Sequence, residues 1–276
     1  MALREGMGSI LISAFCFAVT TMLVKAAGPG VPVAWVAFLR CAPAFLFLCW
    51  LLRRRGLVLA SPRWQSLVLR GGLGVAAMCC QFWALPRMPL ANTILLSQST
   101  PIFASLWAVL FLEETLGRSS AACIGLAFLG VYVILRPALD YAAAPAAAAL
   151  ASALFASLAF ATLKSLTCDE PPLRIVAYFM LVGSLAFLPG VVASGYLPTG
   201  REFLVMGGVC VSATIGQLYL TEGILLAPVT RASTASFVIL LLNILGGWAF
   251  WGEVPDAWTW AGSLLVSAGI YGLMKK

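Results

Sequence analysis

Ten apolar stretches of membrane-spanning length, separated by short polar connections, follow one another along the 276-residue chain. A helix needs roughly 20 apolar residues to cross the hydrocarbon core of a bilayer. The stretches cover residues 8–27, 33–52, 67–85, 90–111, 119–136, 145–164, 174–194, 203–225, 231–250 and 257–274. This pattern predicts an all-α integral membrane protein with ten transmembrane helices, and the connections are too short to hold a soluble domain.

An offset of 139 positions relates the two halves of the chain. It pairs Ser13 with Ser152, Lys25 with Lys164, Pro89 with Pro228, Glu114 with Glu253, Gly130 with Gly269 and Tyr132 with Tyr271. Matches at one fixed spacing indicate an internal duplication. We therefore expect two repeats, residues 1–139 and 140–276, with five helices each. Because five is odd, the second repeat crosses the membrane upside down, as in the inverted repeats of many secondary transporters.

The composition excludes a soluble protein. Hydrophobic residues make up 62% of the chain, charged residues make up 10%, and the mean hydropathy is +1.01. The net charge of +7 does not indicate nucleic-acid binding, because the basic residues lie at the ends of apolar segments. Histidine is absent and Cys79 is adjacent to Cys80, so we expect no metal site and no cofactor. The first apolar stretch has full spanning length and no small-residue cleavage signal, which favours a spanning helix over a signal peptide.

The distribution of Lys and Arg predicts the orientation, because cytoplasmic loops carry an excess of basic residues. With both termini in the cytoplasm, twelve basic residues lie inside: Arg4, Arg53, Arg54, Arg55, Arg63, Arg70, Arg118, Lys164, Arg174, Arg231, Lys275 and Lys276. Four lie outside: Lys25, Arg87, Arg136 and Arg201. Arg40 is left within the membrane, and we expect a multi-pass protein of the inner (plasma) membrane.

Two charged residues lie inside apolar segments and are candidates for function, since such residues are costly in a bilayer. Arg40 is deep in the second segment, and the alternative to a binding role is a packing contact that fixes this helix. Glu222 lies near the cytoplasmic end of the eighth segment, where it could also snorkel to the interface.

Uncharged polar residues are concentrated in the third, fourth, eighth and ninth segments, two from each half. The binding candidates among them and their aromatic neighbours are Gln81, Trp83, Gln98, Gln217, Tyr219 and Asn243. Any one of the polar residues could simply form an interhelical hydrogen bond. Their concentration predicts a polar cavity at the interface of the repeats.

Glu114 and Glu253 occupy matched positions at the ends of the fourth and ninth segments. A carboxylate at a helix C-terminus opposes the macrodipole, so we expect each to have a basic partner in one of two conformations. Glu114 would lie at the cytoplasmic end and Glu253 at the outer end, as a symmetric pair of gates would require. Pro101 should kink the fourth segment, whereas its counterpart in the ninth is Leu240.

Several motifs resemble those of one transporter family. They are FLR (Phe38–Arg40) followed by Pro43, Arg70-Gly71, the run FWALPRMPLANTILLSQSTPIF with a later FLEE, QLYLTEGILLAP, and FWGEVPD (Phe250–Asp256) followed by Gly262 and Gly269. Together they cover nearly the whole chain, which resembles the EamA-type branch of the drug/metabolite transporter superfamily. The resemblance implies a ten-helix, two-repeat secondary carrier for a small organic metabolite, with a central cavity lined by both repeats. Some relatives export amino acids, and others take up metabolites such as S-adenosylmethionine.

Glu222 departs from that family pattern, because many relatives carry a basic residue after the Thr of the eighth segment. An acidic group favours a cationic or zwitterionic substrate, or proton coupling, over an anionic substrate. An amino acid could then be held between Arg40 and Glu222. The chain has no GxxxxGK[ST] motif, so ATP is not expected to drive transport.

Alternatives to an amino-acid-like substrate remain at this point. One is an uptake carrier for a larger metabolite such as S-adenosylmethionine. An intramembrane enzyme acting on lipid is disfavoured by the lack of histidine and of a nucleophile motif, and a scaffold by the short loops. We expect a small-molecule substrate and the lipid bilayer as partners, no nucleic acid, and a monomer or homodimer.

Overall fold

The computed structural model describes residues 2–100, 103, 118–166, 169–226 and 229–274. Within these ranges every long element is a helix. The helices are α1 (Ala2–Ala27), α2 (Val33–Arg54), α3 (Trp64–Ala84), α4 (Leu90–Ser97), α5 (Arg118–Leu166), α6 (Pro172–Ala193), α7 (Gly200–Leu226), α8 (Val229–Trp251) and α9 (Ala257–Met274). A single turn of 3₁₀-helix, Leu85–Arg87, follows α3 directly, and two residues separate it from α4. The prediction of an all-α protein is thus confirmed for the described part of the chain.

Six segments of the described helices are long and apolar enough to cross a membrane. They are Gly8–Ala27, Val33–Arg54, Trp64–Arg87, Ala143–Leu163, Pro172–Ala193 and Gly200–Gly223. Large apolar side chains such as Leu46, Leu204 and Leu264 are exposed on the outer surface of the bundle. A surface of this kind suits lipid rather than water, so the chain is a multi-pass membrane protein.

The structure does not contain the break that the sequence predicts between residues 136 and 145. α5 continues through it as one helix of 49 residues. At 1.5 Å per residue this helix is about 73 Å long, more than twice the roughly 30 Å of a hydrocarbon core. The connection is rich in alanine, the strongest helix former, which accounts for the continuous helix. The fifth and sixth predicted segments are therefore parts of one helix.

The two parts of α5 pack against different helices. Near its start, Gly130 approaches the backbone of α9 at Gly262 and Val266. Near its end, Leu163 and Leu166 join a buried cluster with Leu67 of α3. The two predicted segments thus keep separate packing partners even though the helix between them is unbroken.

Helix packing elsewhere follows the relation between the two halves. α1 packs on α7, and their counterparts, the second part of α5 and α3, pack on each other. α1 also packs on α8, as the second part of α5 packs on α4. Two further contacts join counterparts directly: α2 packs on α6, and α4 packs on α8. The main core lies between α2, α3, α6 and α7, where Leu48, Phe82 and Phe179 are buried.

The connections meet at two ends of the bundle. At one end, Arg63 forms an ion pair with Asp169, and Nε of Arg174 donates to the carbonyl oxygen of Val58 at 2.9 Å. At the other end, Nε1 of Trp35 donates to Oγ of Ser194 at 3.2 Å. Each of these contacts joins segments that the charge distribution assigns to the same side of the membrane.

Candidate functional site

A cavity of about 200 Å³ lies where the N-terminus of α4, the C-terminal part of α8 and the N-terminus of α9 meet. Its lining is formed by Pro89, Ala91, Asn92, Asn243, Ile244, Gly247, Glu253, Val254, Pro255, Asp256 and Thr259. α4 belongs to the first half of the chain, whereas α8 and α9 belong to the second. The cavity is therefore shared between the two halves.

The backbone at the end of α8 positions Glu253 at this cavity. Gly252 adopts φ of +65°, which a glycine tolerates without the cost that a side chain would add. The amide of Glu253 then donates to the carbonyl oxygen of Gly247 at 3.0 Å. A Cβ atom on Gly247 would lie only 3.1 Å from Oε2 of Glu253, so this glycine leaves room for the carboxylate.

The carboxylate of Glu253 has two partners from the first half of the chain. It forms an ion pair with Nζ of Lys25 in the last turn of α1. Its Oε2 accepts a hydrogen bond of 2.8 Å from the backbone amide of Leu90, the first residue of α4. A helix N-terminus carries unpaired N–H groups and partial positive charge, which favour an anion there. Glu253 thus links α1, α4 and α8.

Lys25 is almost fully buried at this junction, with 9% of its surface exposed. Its ammonium group donates to the carbonyl oxygen of Met88 at 3.1 Å and lies 5.5 Å from the centre of the Trp251 ring. A buried ammonium needs such partners, because an unpaired charge in a low-dielectric environment is costly. The expectation that Glu253 has a basic partner is met by Lys25.

Other polar side chains of the cavity lining form hydrogen bonds, two of which join the two halves of the chain. Asn243 is fully buried; its Oδ1 accepts a 2.6 Å bond from Oγ1 of Thr21, and its Nδ2 donates to the carbonyl oxygen of Ile239 at 2.7 Å. Oγ1 of Thr259 donates to Oδ1 of Asn92 at 2.8 Å. Asn243 therefore acts here as an interhelical hydrogen-bonding residue that also lines the cavity.

Arg40 lies away from this cavity, in the core between α2, α3, α6 and α7. Its guanidinium donates to the sulfur of Met78 and lies over the rings of Phe82 and Phe179, at 5.5 and 5.2 Å from their centres. Arg70 lies over the same Phe179 ring at 5.4 Å. Both arginines are buried, with 4% and 6% of their surface exposed.

The other predicted binding residues are dispersed. Gln217 is buried in α7, Gln81, Trp83, Gln98 and Tyr219 are half-buried, and Glu222 is exposed. None of these six lines the cavity. Since Arg40 is enclosed in the core and Glu222 is on the surface, the structure does not bring the two together to hold a zwitterion. Of the predicted site residues, the structure places Asn243 and Glu253 at one cavity, and Pro101 and Glu114 lie outside the described residues.

Sequence reasoning missed Lys25, Asp256 and Thr259 as site residues. The signal for Lys25 was available, because the offset that pairs Glu114 with Glu253 also pairs Lys25 with Lys164. Asp256 lies just after FWGE, and its Oδ1 accepts a 2.8 Å bond from the amide of Thr259 in the first turn of α9. The part of the chain that the structure describes contains no cluster of three or more residues suited to hold a metal ion.

Comparison with known proteins identifies the family. The model of the EamA-like transporter family matches residues 4–136 and again residues 144–275. The pseudopaline exporter CntI of Pseudomonas aeruginosa is 30% identical over 276 residues, covering 99% of this chain and 97% of that protein. A riboflavin transporter of Rhizobium johnstonii is 30% identical over 250 residues, covering 87% and 80%.

One solved crystal structure shares the fold with a TM-score of 0.68, covering 98% of this chain and 95% of that chain. Its sequence is only 18% identical, so this similarity concerns the fold alone. The chain belongs to the EamA-like transporter family within the drug/metabolite transporter superfamily. Its family and named relatives are transporters rather than enzymes, so a small-molecule substrate follows, and a lipid-acting enzyme does not.

Proposed function

We propose that this EamA-like transporter is a secondary active carrier that moves a small, amino-acid-like, zwitterionic or cationic metabolite across the inner membrane by alternating access. The helix α5 is more than twice as long as one crossing requires, so we propose that its two parts cross the membrane separately in the working carrier. This gives ten spanning helices in two inverted repeats, residues 1–139 and 140–276, with both termini in the cytoplasm. The observation that carries the proposal is the cavity shared by the two halves, whose lining residue Glu253 forms an ion pair with Lys25 of the other half.

The packing of the helices supports an inverted repeat. Contacts between the two halves recur with the halves exchanged, as α1 with α7 and the second part of α5 with α3, and α2 packs directly on its counterpart α6. The offset of 139 positions also relates Arg40 to Phe179, and these two residues touch. A residue that contacts its own counterpart lies close to the axis that relates the repeats. Transporters of this architecture bind their substrate near that axis, at the midplane.

The ion pair supports a gating role for Glu253. The same offset assigns Glu114 to Lys164 as the equivalent pair at the other side of the membrane. We propose that one pair forms while the other is broken, so that the cavity opens to one side at a time. Pro101 would provide the bend in the fourth transmembrane segment during this change.

The cavity favours a small substrate. Its volume of about 200 Å³ is below the roughly 300–1,000 Å³ typical of pockets for drug-sized ligands. A larger solute such as a flavin or S-adenosylmethionine would need the site to expand. The carboxylates and amides of Glu253, Asp256 and Asn92 are suited to an ammonium group.

The remaining binding residues are proposed to contact substrate as it passes between the two gates. They are Arg40, Gln81, Trp83, Gln98, Gln217, Tyr219, Glu222 and Asn243. Export is the proposed direction, because a relative that matches nearly the full length is an exporter. Glu222 is the candidate for proton coupling, because a carboxyl group in a transmembrane segment can take up and release a proton.

Metabolite profiling followed by flux measurement tests this proposal. Cells with and without the protein are compared by untargeted profiling, and each solute that changes is loaded into proteoliposomes containing the purified protein. We expect saturable flux of at least one small zwitterion or cation and a several-fold loss of flux in Glu253→Gln. Asp169→Asn, at an exposed loop position, is the matched control. A protein that moves no solute identified by the profiling, or a gate variant that transports like the control, would contradict the proposal.

A further inference from the structure

Arg40 and Arg70 form a pair of buried cations in the core of the bundle. Their guanidinium groups lie 5.2 and 5.4 Å from the centre of the same ring, that of Phe179. The two groups are therefore separated by no more than the sum of these distances. Arg70 reaches Phe179 across Gly74, where a Cβ atom would lie 2.6 Å from Nη1 of Arg70 and 2.9 Å from Cε2 of Phe179. The absence of a side chain at Gly74 is thus required for this arrangement.

The contacts of the two arginines leave part of their hydrogen-bonding capacity unused. Nε of Arg40 and Nε of Arg70 are buried without a hydrogen-bond partner among the described residues. The sulfur that accepts from Arg40 belongs to Met78, and a thioether is a weak acceptor. Aromatic faces attract a cation, but they do not accept the directed N–H bonds that a guanidinium offers.

No carboxylate of the described chain neutralises either arginine. The ion pairs in that part of the protein join Lys25 to Glu253, Arg63 to Asp169 and Arg174 to Glu170. Two like charges that share one buried ring repel each other and lose their hydration. Charged residues within a membrane are usually paired, and those that are not commonly mark the path of a substrate.

We propose that Arg40 and Arg70 bind an anionic group, a carboxylate or phosphate, next to Phe179. An arginine fork binds either group through two parallel N–H···O bonds. The anion would take the place of the Met78 sulfur, whose flexible side chain can move aside. This inference rests on the proposed transport function and extends it, because the anionic group belongs to the transported solute. For an amino-acid-like substrate that group is the carboxylate.

The position of the pair suits a substrate site. Arg40 contacts its own counterpart Phe179, so the site lies close to the axis that relates the repeats. A solute bound there could be reached from either side of the membrane. Glu222 is exposed whereas both arginines are buried, so its charge does not disfavour an anion between them.

Anion-dependent stabilisation of the purified protein tests the proposal. The melting temperature in neutral detergent is measured while succinate or inorganic phosphate is added, with sodium chloride as the ionic-strength reference. We expect saturable stabilisation by at least one of the two anions, and none by succinamide, the neutral analogue of succinate. A third arm adds phosphatidylglycerol to the micelles. Stabilisation by this lipid alone would identify a lipid headgroup, rather than a free solute, as the source of the anionic group.

Conservative variants locate the site. Arg40→Lys and Arg70→Lys keep the charge but lose the planar fork, so each should weaken anion binding at least tenfold. Arg54→Lys is the control, because Arg54 is on the same helix as Arg40 and lies 4.9 Å from the centre of the Trp50 ring, but is exposed. Equal binding by all three variants would overturn the proposal. If a variant fails to fold, the comparison of succinate with succinamide on the unmodified protein still tests the proposal. Equal stabilisation by the two compounds would overturn the anion site.

The binding measurement does not depend on transport. Flux without anion binding would refute the arginine site and leave the transport proposal standing. Anion binding without flux of any solute would refute the transport proposal alone.

Discussion

Three neighbouring residues fix the position of the Glu253 carboxylate: one forms an ion pair with it, one donates a backbone hydrogen bond, and one is a glycine that leaves room for it. Lys25 supplies the charge, Leu90 supplies the amide, and Gly247 supplies the space. Because the side chain of Lys25 is only 8% exposed, the loss of Glu253 would leave a buried ammonium without its main counter-charge. A buried pair that loses one member is destabilised far more than an exposed pair.

A double-mutant cycle on Lys25 and Glu253 measures this interaction. We expect Glu253→Gln to lower stability by about 1–3 kcal/mol and the double variant with Lys25→Gln to recover part of that loss, because no charge is then left unpaired. The measurement is thermal or denaturant unfolding in detergent. The exposed Arg63–Asp169 pair, 42% and 59% exposed, is the control and should contribute no more than about 1 kcal/mol. Additive effects of the two gate substitutions would contradict the coupling.

Glu170, at one end of the bundle, makes the stability of the folded protein depend on pH in the acid range. Burial raises the pKa of its carboxyl group, but hydrogen bonds from Ser61 and Arg174 and the charges of Arg174 and Arg63 outweigh burial and lower the pKa below the ordinary 4.5. The ionised carboxylate of Glu170 therefore stabilises the folded state. This contribution is complete above the unfolded-state pKa and is lost as the pH falls through the lower folded-state pKa.

We expect the melting temperature to fall as the pH is lowered below about 4.5, and to fall less in Glu170→Gln, which cannot be protonated. The measurement is a series of melts in detergent from neutral to acid pH. Parallel curves for wild type and Glu170→Gln would show that this carboxyl group does not contribute.

Individual contacts were less predictable from the sequence than individual residue types. Arg40 was predicted as a deep charge because it interrupts an apolar segment, and Glu253 was predicted as a gate because it matches Glu114 at the end of the equivalent segment. The partner of Glu253 was not predicted, because Lys25 is 228 positions away in the chain and only folding brings them together. Burial was also not predictable within one helix: Gln217 is buried and Glu222 is exposed, although both belong to α7. An apolar helical segment alone does not reveal which face is buried.

The close packing of helices α5 and α9 depends on a glycine in α5. A Cβ atom on Gly130 would lie 2.7 Å from the amide nitrogen of Val266 and 2.8 Å from the carbonyl oxygen of Gly262. These are backbone atoms of α9, so they cannot turn aside as a side chain can. α5 and α9 would have to separate to accommodate a methyl group.

Gly130→Ala is therefore expected to destabilise the protein by about 1–3 kcal/mol, the usual cost of overpacking. Gly125→Ala is a matched control on the same helix, because a Cβ atom there would meet nothing within 4 Å. Alanine has the higher helix propensity, so the control should be neutral or slightly stabilising. Melting in detergent compares the two, and equal melting temperatures would show that α5 and α9 are not packed this closely.

The helices themselves were largely predictable because apolar length is a local property of the sequence. Of the eight described helices other than α5, seven begin within three residues of the predicted start, and α1 begins six residues before it. The unbroken α5 is not apparent in the sequence, because prolines and a charged residue near position 140 interrupt the apolar pattern, whereas the alanines around them favour a helix.

The whole molecule repeats its contacts across the two halves, and the offset of 139 positions predicts how the ends of the cavity behave. Lys25 and Glu253 come from different halves and meet at one end. Lys164 and Glu114 are their counterparts, also from different halves. If the second half is an inverted copy of the first, breaking one pair should favour opening to one side and breaking the other pair should favour opening to the opposite side.

Accessibility of the cavity tests this prediction. Asn92 lines the cavity, so a cysteine at this position reports which side is open. In Asn92→Cys, adding Glu253→Gln should increase labelling by a membrane-impermeant thiol reagent from outside, and adding Glu114→Gln should decrease it. Loss of an interaction of about 1–3 kcal/mol would shift the equilibrium roughly 5–150-fold. Mass spectrometry of right-side-out and inside-out vesicles distinguishes position 92 from the native cysteines. Asp169→Asn is the control, and changes in the same direction for both gate variants would show that the two carboxylates do not act as opposed gates.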